Sequence, residues 1–216
     1  MNTIVQMTAD GSPTLFVPAL DEHYHSVKGA RTESQHVFVD MGLHACTAPA
    51  PRVLEVGFGT GLNALLTWEE AERSGRCIHY TTLELDPLSA ADVALLDYGD
   101  ATRLRLLHDA PWEEPVALGP VFTLLKRRAD FTCLSLPAGA FDVVYMDAFA
   151  PEKQPEMWGE DRFALLFHAL APGGILTTYC AKGAIRRLMQ QVGFVTERLP
   201  GPPGGKREVL RAQKPF

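Results

Sequence analysis

Cysteine is scarce and scattered: Cys46, Cys77, Cys133 and Cys180 stand far apart, with no C-x-x-C pair. That spacing excludes a disulfide framework and a cysteine-built zinc site, and predicts reduced packing residues in a cytoplasmic protein. No apolar run approaches the roughly 18 residues of a membrane span, so no membrane association is expected. The stretch Met1-Asn2-Thr3-Ile4 has neither the basic start nor the continuous apolar core of a secretory signal. His23 and His25 have no identifiable third ligand nearby, so no metal is expected. No repeat, low-complexity segment, Pro/Gly/Ser tract or charge run interrupts the 216 residues. The expectation is one domain over 1–216, with 1–50 as an extension and 51–216 as the core.

What is present centres on Val53-Leu54-Glu55-Val56-Gly57-Phe58-Gly59-Thr60-Gly61-Leu62-Asn63, which reads as a buried strand, a glycine-rich turn and the first turn of a helix. Glycines at alternate positions let the chain bend tightly and bring backbone N–H groups closer to a ligand than a Cβ would permit. The dinucleotide pattern G-x-G-x-x-G fails, because Leu62 occupies its third glycine position. The pattern is acid-x-G-x-G-x-G instead. It resembles the first motif of class I S-adenosylmethionine-dependent methyltransferases. A second strand, Ile78 to Glu84, ends in an acid roughly twenty residues past the glycines, the separation one strand-helix-strand unit requires. In that resemblance Glu84 accepts hydrogen bonds from ribose hydroxyls.

Along the chain, Val5 to Val17 reads as a hairpin with Asp10-Gly11 as its turn. Thr32 or Ser34 is positioned to cap a helix that places Val37, Phe38, Met41 and Ala45 on one face. Helices are expected over Leu62–Ser74, closed by Gly75, near Leu88–Tyr98, and through Leu107, with an irregular loop around Pro111, Pro115 and Pro120. Val121–Leu125 reads as a strand, and Phe141–Asp147 as the clearest remaining buried one. A helix from about Asp161 to Leu170 is expected to stop at Pro172-Gly173-Gly174, followed by a strand Ile175–Cys180 and a helix Ala184–Val192. Phe194–Leu199 and Glu208–Ala212 read as closing strands. Alternation at this spacing implies an α/β, Rossmann-like doubly wound sheet. Ligands of such sheets bind beyond the carboxyl ends of the strands, which places Asp147 in the same crevice as Gly57 and Glu84.

Several segments together resemble one family, the methyltransferase domain of the bacterial enzyme that completes 5-methylaminomethyl-2-thiouridine at the wobble position of tRNA (MnmC-like). They are Asp21-Glu22-His23-Tyr24-His25-Ser26 with Gly29-Ala30, Glu33-Ser34-Gln35-His36-Val37-Phe38, the glycine loop, and Asp147-Ala148-Phe149-Ala150-Pro151. Pro155-Glu156-Met157-Trp158, Pro172-Gly173-Gly174 and Gly205-Lys206-Arg207-Glu208 complete them. The family usually has Asn where this chain has Gln154. The resemblance implies a class I fold with an antiparallel last strand, an N-terminal β-hairpin extension and S-adenosylmethionine as cofactor. It implies that Tyr24, Ser26, Gly29, Glu33, Glu55, Gly57, Gly59, Gly61, Asn63, Glu84 and Asp130 attend the cofactor, Asp130 at the adenine amino group. Asp147 is the implied catalytic residue, orienting a substrate amine, with Phe149 and Trp158 stacking on the uridine. In the two-domain members an FAD-dependent oxidase follows, so a separate oxidase is the expected source of the aminomethyl substrate.

The formal charge of −6 is unevenly spread. Up to Tyr179 there are 12 Lys+Arg against 24 Asp+Glu; from Cys180 onward 8 basic residues face 2 acidic ones. A tRNA partner is expected to meet Lys182, Arg186, Arg187, Lys206 and Arg207 of that basic end, with Lys126, Arg127 and Arg128. The alternatives are methyl or aminopropyl transfer to a small amine, and a non-catalytic cofactor-binding module. Against aminopropyl transfer stands the absence of a second acid after Asp147, where Ala148 and Phe149 follow.

Overall fold

The computed structural model describes residues 2–216. β1 (Ile4–Met7) and β2 (Pro13–Val17) form the expected hairpin, and β3 (Glu22–His23) adds a third strand in the order β1-β2-β3. A helix follows, α1 (Ala30–Ser34), which loosens into a π-helical stretch over Gln35–Asp40.

The main sheet is built from β4 (Arg52–Val56), β5 (Ile78–Glu84), β6 (Pro115–Ala117), β7 (Phe122–Arg128), β8 (Phe141–Met146), β9 (Leu170–Thr178), β10 (Val195–Pro200) and β11 (Glu208–Gln213). Its eight strands run in the order β10-β11-β9-β8-β4-β5-β7-β6. The five central strands are parallel, while β11 runs antiparallel between β9 and β10. The helices are α2 (Leu62–Ser74), α3 (Ala90–Val93), α4 (Ala101–Asp109), α5 (Glu160–Ala169) and α6 (Gly183–Val192). The fold is thus a doubly wound α/β sheet.

Period-2 alternation divides the core. From β4 and β8, Val53, Val143 and Tyr145 pack with Leu65, Trp68 and Phe38 on one face. Leu54, Val56, Val144 and Met146 pack with Phe163, Leu166 and Met189 on the other. Covering both faces is why these strands read as unbroken apolar runs.

Several boundaries differ from the sequence reading. The first helix is not capped by Thr32 or Ser34. It begins at Ala30 after Gly29, and the acceptor comes from the hairpin turn, where Asp10 Oδ2 takes the Thr32 N–H (2.9 Å) and hydroxyl (2.7 Å). The proline-rich stretch after α4 contains an edge strand, β6, which starts at Pro115, where a missing N–H is tolerated. The helix expected over Leu88–Tyr98 shortens to Ala90–Val93. Pro172-Gly173-Gly174 lies within β9 instead of separating it from α5, as an irregularity in its pairing with β8, where Gly173 adopts φ +75° and the Phe216 ring occupies the space a Cβ would need. No described helix is long and apolar enough to cross a membrane.

Candidate active site

The carboxyl ends of β4, β5 and β8 open into a cleft of about 790 Å³, within the usual size range of small-molecule sites. Its floor is the turn after β4. Gly57 and Phe58 both donate their N–H to Leu83 O (3.0 and 3.2 Å), bending the loop over β5. A Cβ on Gly57 (φ +94°) would meet Asp147 O at 2.8 Å, and one on Gly59 the Tyr24 ring at 2.9 Å, so side chains are excluded there. Glu84, at the end of β5, accepts from Gly59 N (3.0 Å) and Asp86 N (2.9 Å), fixing its carboxylate at the rim.

Asp147 follows β8, held by its N–H on Val56 O (3.1 Å). Asn63, in the first turn of α2, donates its Nδ2 to Asp147 Oδ2 at 2.7 Å. Burial pushes the Asp147 carboxyl up to about 8; the Asn63 hydrogen bond opposes that, the Glu33 charge adds to it, and Lys206 opposes it. The group is therefore mostly protonated at neutral pH and half-ionised near 8, the poise of a residue that exchanges protons.

The N-terminal segment roofs the cleft. Tyr24 lies over the loop and meets Phe149 edge-on, with ring centroids 5.0 Å apart. His25 is hydrogen-bonded to Thr60 Oγ1 at 2.7 Å, and burial pushes its pKa down to about 4, so it is neutral at physiological pH. That position lets His25 clamp the N-terminal segment to the glycine loop. Glu33 accepts from Ser26 N (3.1 Å) and from Lys206 Nζ (2.7 Å), and the Lys206 ammonium lies 4.2 Å from the Tyr179 ring centre. Eight acidic side chains and two lysines line the cleft, an environment that favours a cation.

Of the sequence-stated site residues, Tyr24, Ser26, Glu33, Gly57, Gly59, Glu84, Asp130, Asp147, Phe149, Lys182 and Lys206 line this cleft. Others do not. Gly29 lies against the Asp10 carboxylate, and Gly61 packs on His108 and Phe58 in the left-handed conformation that opens α2. Asn63 reaches the site only through Asp147. Glu55 is fully buried beneath the loop, its carboxylate turned to Thr82 on β5, so direct cofactor contact is corrected for this residue. Trp158 is only 2% exposed and donates its Nε1 to Phe149 O at 2.8 Å, which removes it from any stack with a substrate base. Lys126 is 0% exposed, bonded to His108 O and facing the Trp112 ring at 4.7 Å. It cannot reach a phosphate, although Arg127 and Arg128 beside it remain nearer the surface.

Sequence reasoning missed Tyr179, the Lys206–Glu33 pair and the His25–Thr60 clamp. The only local signal was the polar, aromatic character of Glu22 to Ser26. Lys206 and Glu33 are 173 positions apart, and nothing in either neighbourhood announces the other.

Residues 127–215 match a family model described as S-adenosyl-L-methionine-dependent methyltransferase. The chain is 34% identical over 215 residues to the tRNA 5-methylaminomethyl-2-thiouridine biosynthesis bifunctional protein MnmC of Pseudomonas fluorescens (strain Pf0-1), covering 89% of this chain and 32% of that protein. With the MnmC of Cupriavidus necator the identity is 33%, covering 95% of this chain and 33% of the relative. The crystal structure of MNMC2 from Aquifex aeolicus superposes over 100% of this chain and 72% of that one, with a TM-score of 0.81 at 26% identity. The chain carries an MnmC-like methyltransferase domain. It spans about a third of the length of these curated relatives. S-adenosylmethionine is the cofactor of this methyltransferase family. A spermidine synthase from Thermotoga maritima shares the fold, with a TM-score of 0.61 at 16% identity. The glycine cradle, where no Cβ fits, and the acid-rich lining of the MnmC-like domain suit a cofactor that carries a sulfonium charge.

Proposed function

We propose that this domain transfers a methyl group from S-adenosylmethionine to the aminomethyl nitrogen of a wobble 5-aminomethyl-2-thiouridine in tRNA, giving the 5-methylaminomethyl form. The observation that carries this reading is Asp147, poised at about 8 in the cleft between the glycine loop and Phe149. The relatives named for this tRNA modification support the substrate class. In this reading Gly57, Gly59, Tyr24 and Glu84 hold the cofactor, with Asp130 at its far end. S-adenosylmethionine supplies a methyl group already activated on sulfur, so the protein's work is positioning and proton management. Ionised Asp147 accepts a hydrogen bond from the substrate amine, directs its lone pair inward, and takes up the proton released when the secondary ammonium formed by methylation returns to the neutral amine. Phe149 supplies an aromatic face for the base.

The deciding experiment is transfer of labelled methyl from S-adenosylmethionine to tRNA drawn from cells that lack this last step. Turnover on free polyamine with none on tRNA would replace the reading with small-amine transfer. Cofactor binding without any transfer would leave a binding module.

Two further results are expected. Glu84→Ala removes a carboxylate acceptor worth roughly 1.5 to 3 kcal/mol, so calorimetry should show S-adenosylmethionine affinity falling by about one to two decades in a protein that stays folded. Unchanged affinity would take Glu84 out of the cofactor site. For the tRNA surface, Arg187 and Arg207 are exposed, whereas Lys182 pairs with Glu152 and Lys206 with Glu33. Replacing Arg187 and Arg207 together should lower the slope of log K against log salt by roughly one to two units, with cofactor affinity unaltered. A salt dependence identical to wild type would place the phosphates elsewhere.

A further inference from the structure

Beneath the glycine loop lies a polar compartment that direct contact with cofactor or substrate does not use. Glu55 is 0% exposed, and its Oε2 accepts from the Thr82 hydroxyl at 2.7 Å. Its Oε1 has no hydrogen-bond partner, nor do two other buried atoms of the same compartment, Asn63 Oδ1 and the Tyr80 hydroxyl. A buried polar atom left unpaired costs on the order of 1 to 3 kcal/mol, so three together require a reason.

The Asn63 amide supplies it. Its two ends have almost the same shape, and only one orientation presents Nδ2 to Asp147; against the ionised Asp147 that the reaction uses, the reverse sets oxygen against oxygen. Something on the far side must choose. An ionised Glu55 offers only acceptors, and would draw the amide N–H₂ away from Asp147. A neutral one offers an O–H that satisfies Asn63 Oδ1 and leaves Nδ2 for Asp147.

We propose that Glu55 is kept as a neutral carboxylic acid and acts as a positioning residue, its proton fixing the Asn63 amide so that Asp147 receives a hydrogen bond in the orientation the reaction needs. The surroundings agree. Burial pushes Glu55 up to about 8 and the Asp147 charge adds to this, while the Thr82 hydrogen bond and the nearby polar side chains of Asn63 and Tyr80 work the other way. The other titratable groups facing it are Tyr80 on β5 and Tyr145 on β8, both pushed upward by burial and therefore neutral. Among the described residues, the groups that chiefly shift Glu55 include no cation to offset a negative charge. The inference rests on reading Asp147 as the group that faces the substrate amine.

The test compares Glu55→Gln with Glu55→Ala. Gln is neutral, nearly isosteric, and retains a donor for Asn63 Oδ1. It should keep methyl transfer within a few fold and leave the pH at which Asp147 titrates in place. Ala frees the amide to reverse; transfer should fall by about tenfold, with S-adenosylmethionine affinity nearly unchanged and the Asp147 titration moved to higher pH. Infrared difference spectra of the ligand-free protein at neutral pH give a readout without substrate. Two protonated-carboxyl bands are expected, since Asp147 is also mostly protonated there; the Glu55 band should vanish in Glu55→Gln and persist in Asp147→Asn, and the Asp147 band the reverse. Absence of the Glu55 band, or a Gln variant as impaired as Ala with an unmoved Asp147 titration, would overturn the proposal. Because infrared and titration require no tRNA, a negative result there is separable from failure of the methyl-transfer reading. Should Glu55→Ala not fold, the Gln variant and the infrared band still decide.

Discussion

Asp147→Ala should lower methyl transfer to tRNA by a factor on the order of 100 or more, about 2.7 kcal/mol of transition-state stabilisation, while S-adenosylmethionine affinity stays within a few fold. The separation is expected because Asp147 meets the loop through its backbone, N–H to Val56 O, which alanine retains. Its carboxylate hydrogen-bonds only with Asn63 among the described residues. The pH profile adds a second check. Burial raises the Asp147 pKa to about 8, so the ionised, accepting form is the minority below that pH and grows as pH rises. The acid limb of kcat/KM should therefore bend near 8 in wild type, apart from the amine's own ionisation, and Asp147→Asn should remove that bend. A fully active alanine variant would mean that backbone or another side chain orients the amine.

Trp158→Ala is expected to cost about 3 to 5 kcal/mol of folding stability, as large-to-small changes of buried aromatics do. The ring packs between Phe163 and Tyr179, with centroids 6.3 and 6.2 Å away, and its loss also leaves Phe149 O without its donor. Chemical denaturation should show the loss directly. Phe149→Ala should behave in the opposite way, with little change in stability and weaker tRNA binding, since stacking on one base contributes roughly 1 to 3 kcal/mol. A Trp158→Ala protein of wild-type stability that no longer binds tRNA would return that ring to the substrate.

The contrast between these two aromatics shows where sequence stops being informative. Gly57, Gly59, Glu84 and Asp147 were legible because each sits at the end of a strand, and parallel strands deliver their ends to one crevice by topology alone. Phe149 and Trp158 follow the same strand in the same kind of loop, and no local pattern tells which ring turns inward. Lys126 illustrates a different limit. Alternation along β7 puts it on the face of Phe122 and Leu124, so its inward direction was readable. What made a buried lysine tolerable was not, because Phe58 and Trp112 approach its ammonium from distant segments. The first helix escaped for the same reason, its acceptor arriving from Asp10 across the hairpin. The doubly wound sheet was visible in the alternation of strands and helices, whereas the antiparallel closing strand came from the family resemblance.

The position of β11 bears on how the molecule is made. It is the last strand of this sheet in sequence order, yet it pairs along both edges, with β9 on one side and β10 on the other. While a ribosome is still adding residues before Glu208, neither neighbour can find its partner, and both present unpaired backbone to whatever is near. Lys206, which closes the roof onto Glu33, arrives in the same late segment. The sheet and the cleft therefore close together only once this segment has emerged, and until then β9 and β10 depend on shielding of their open edges.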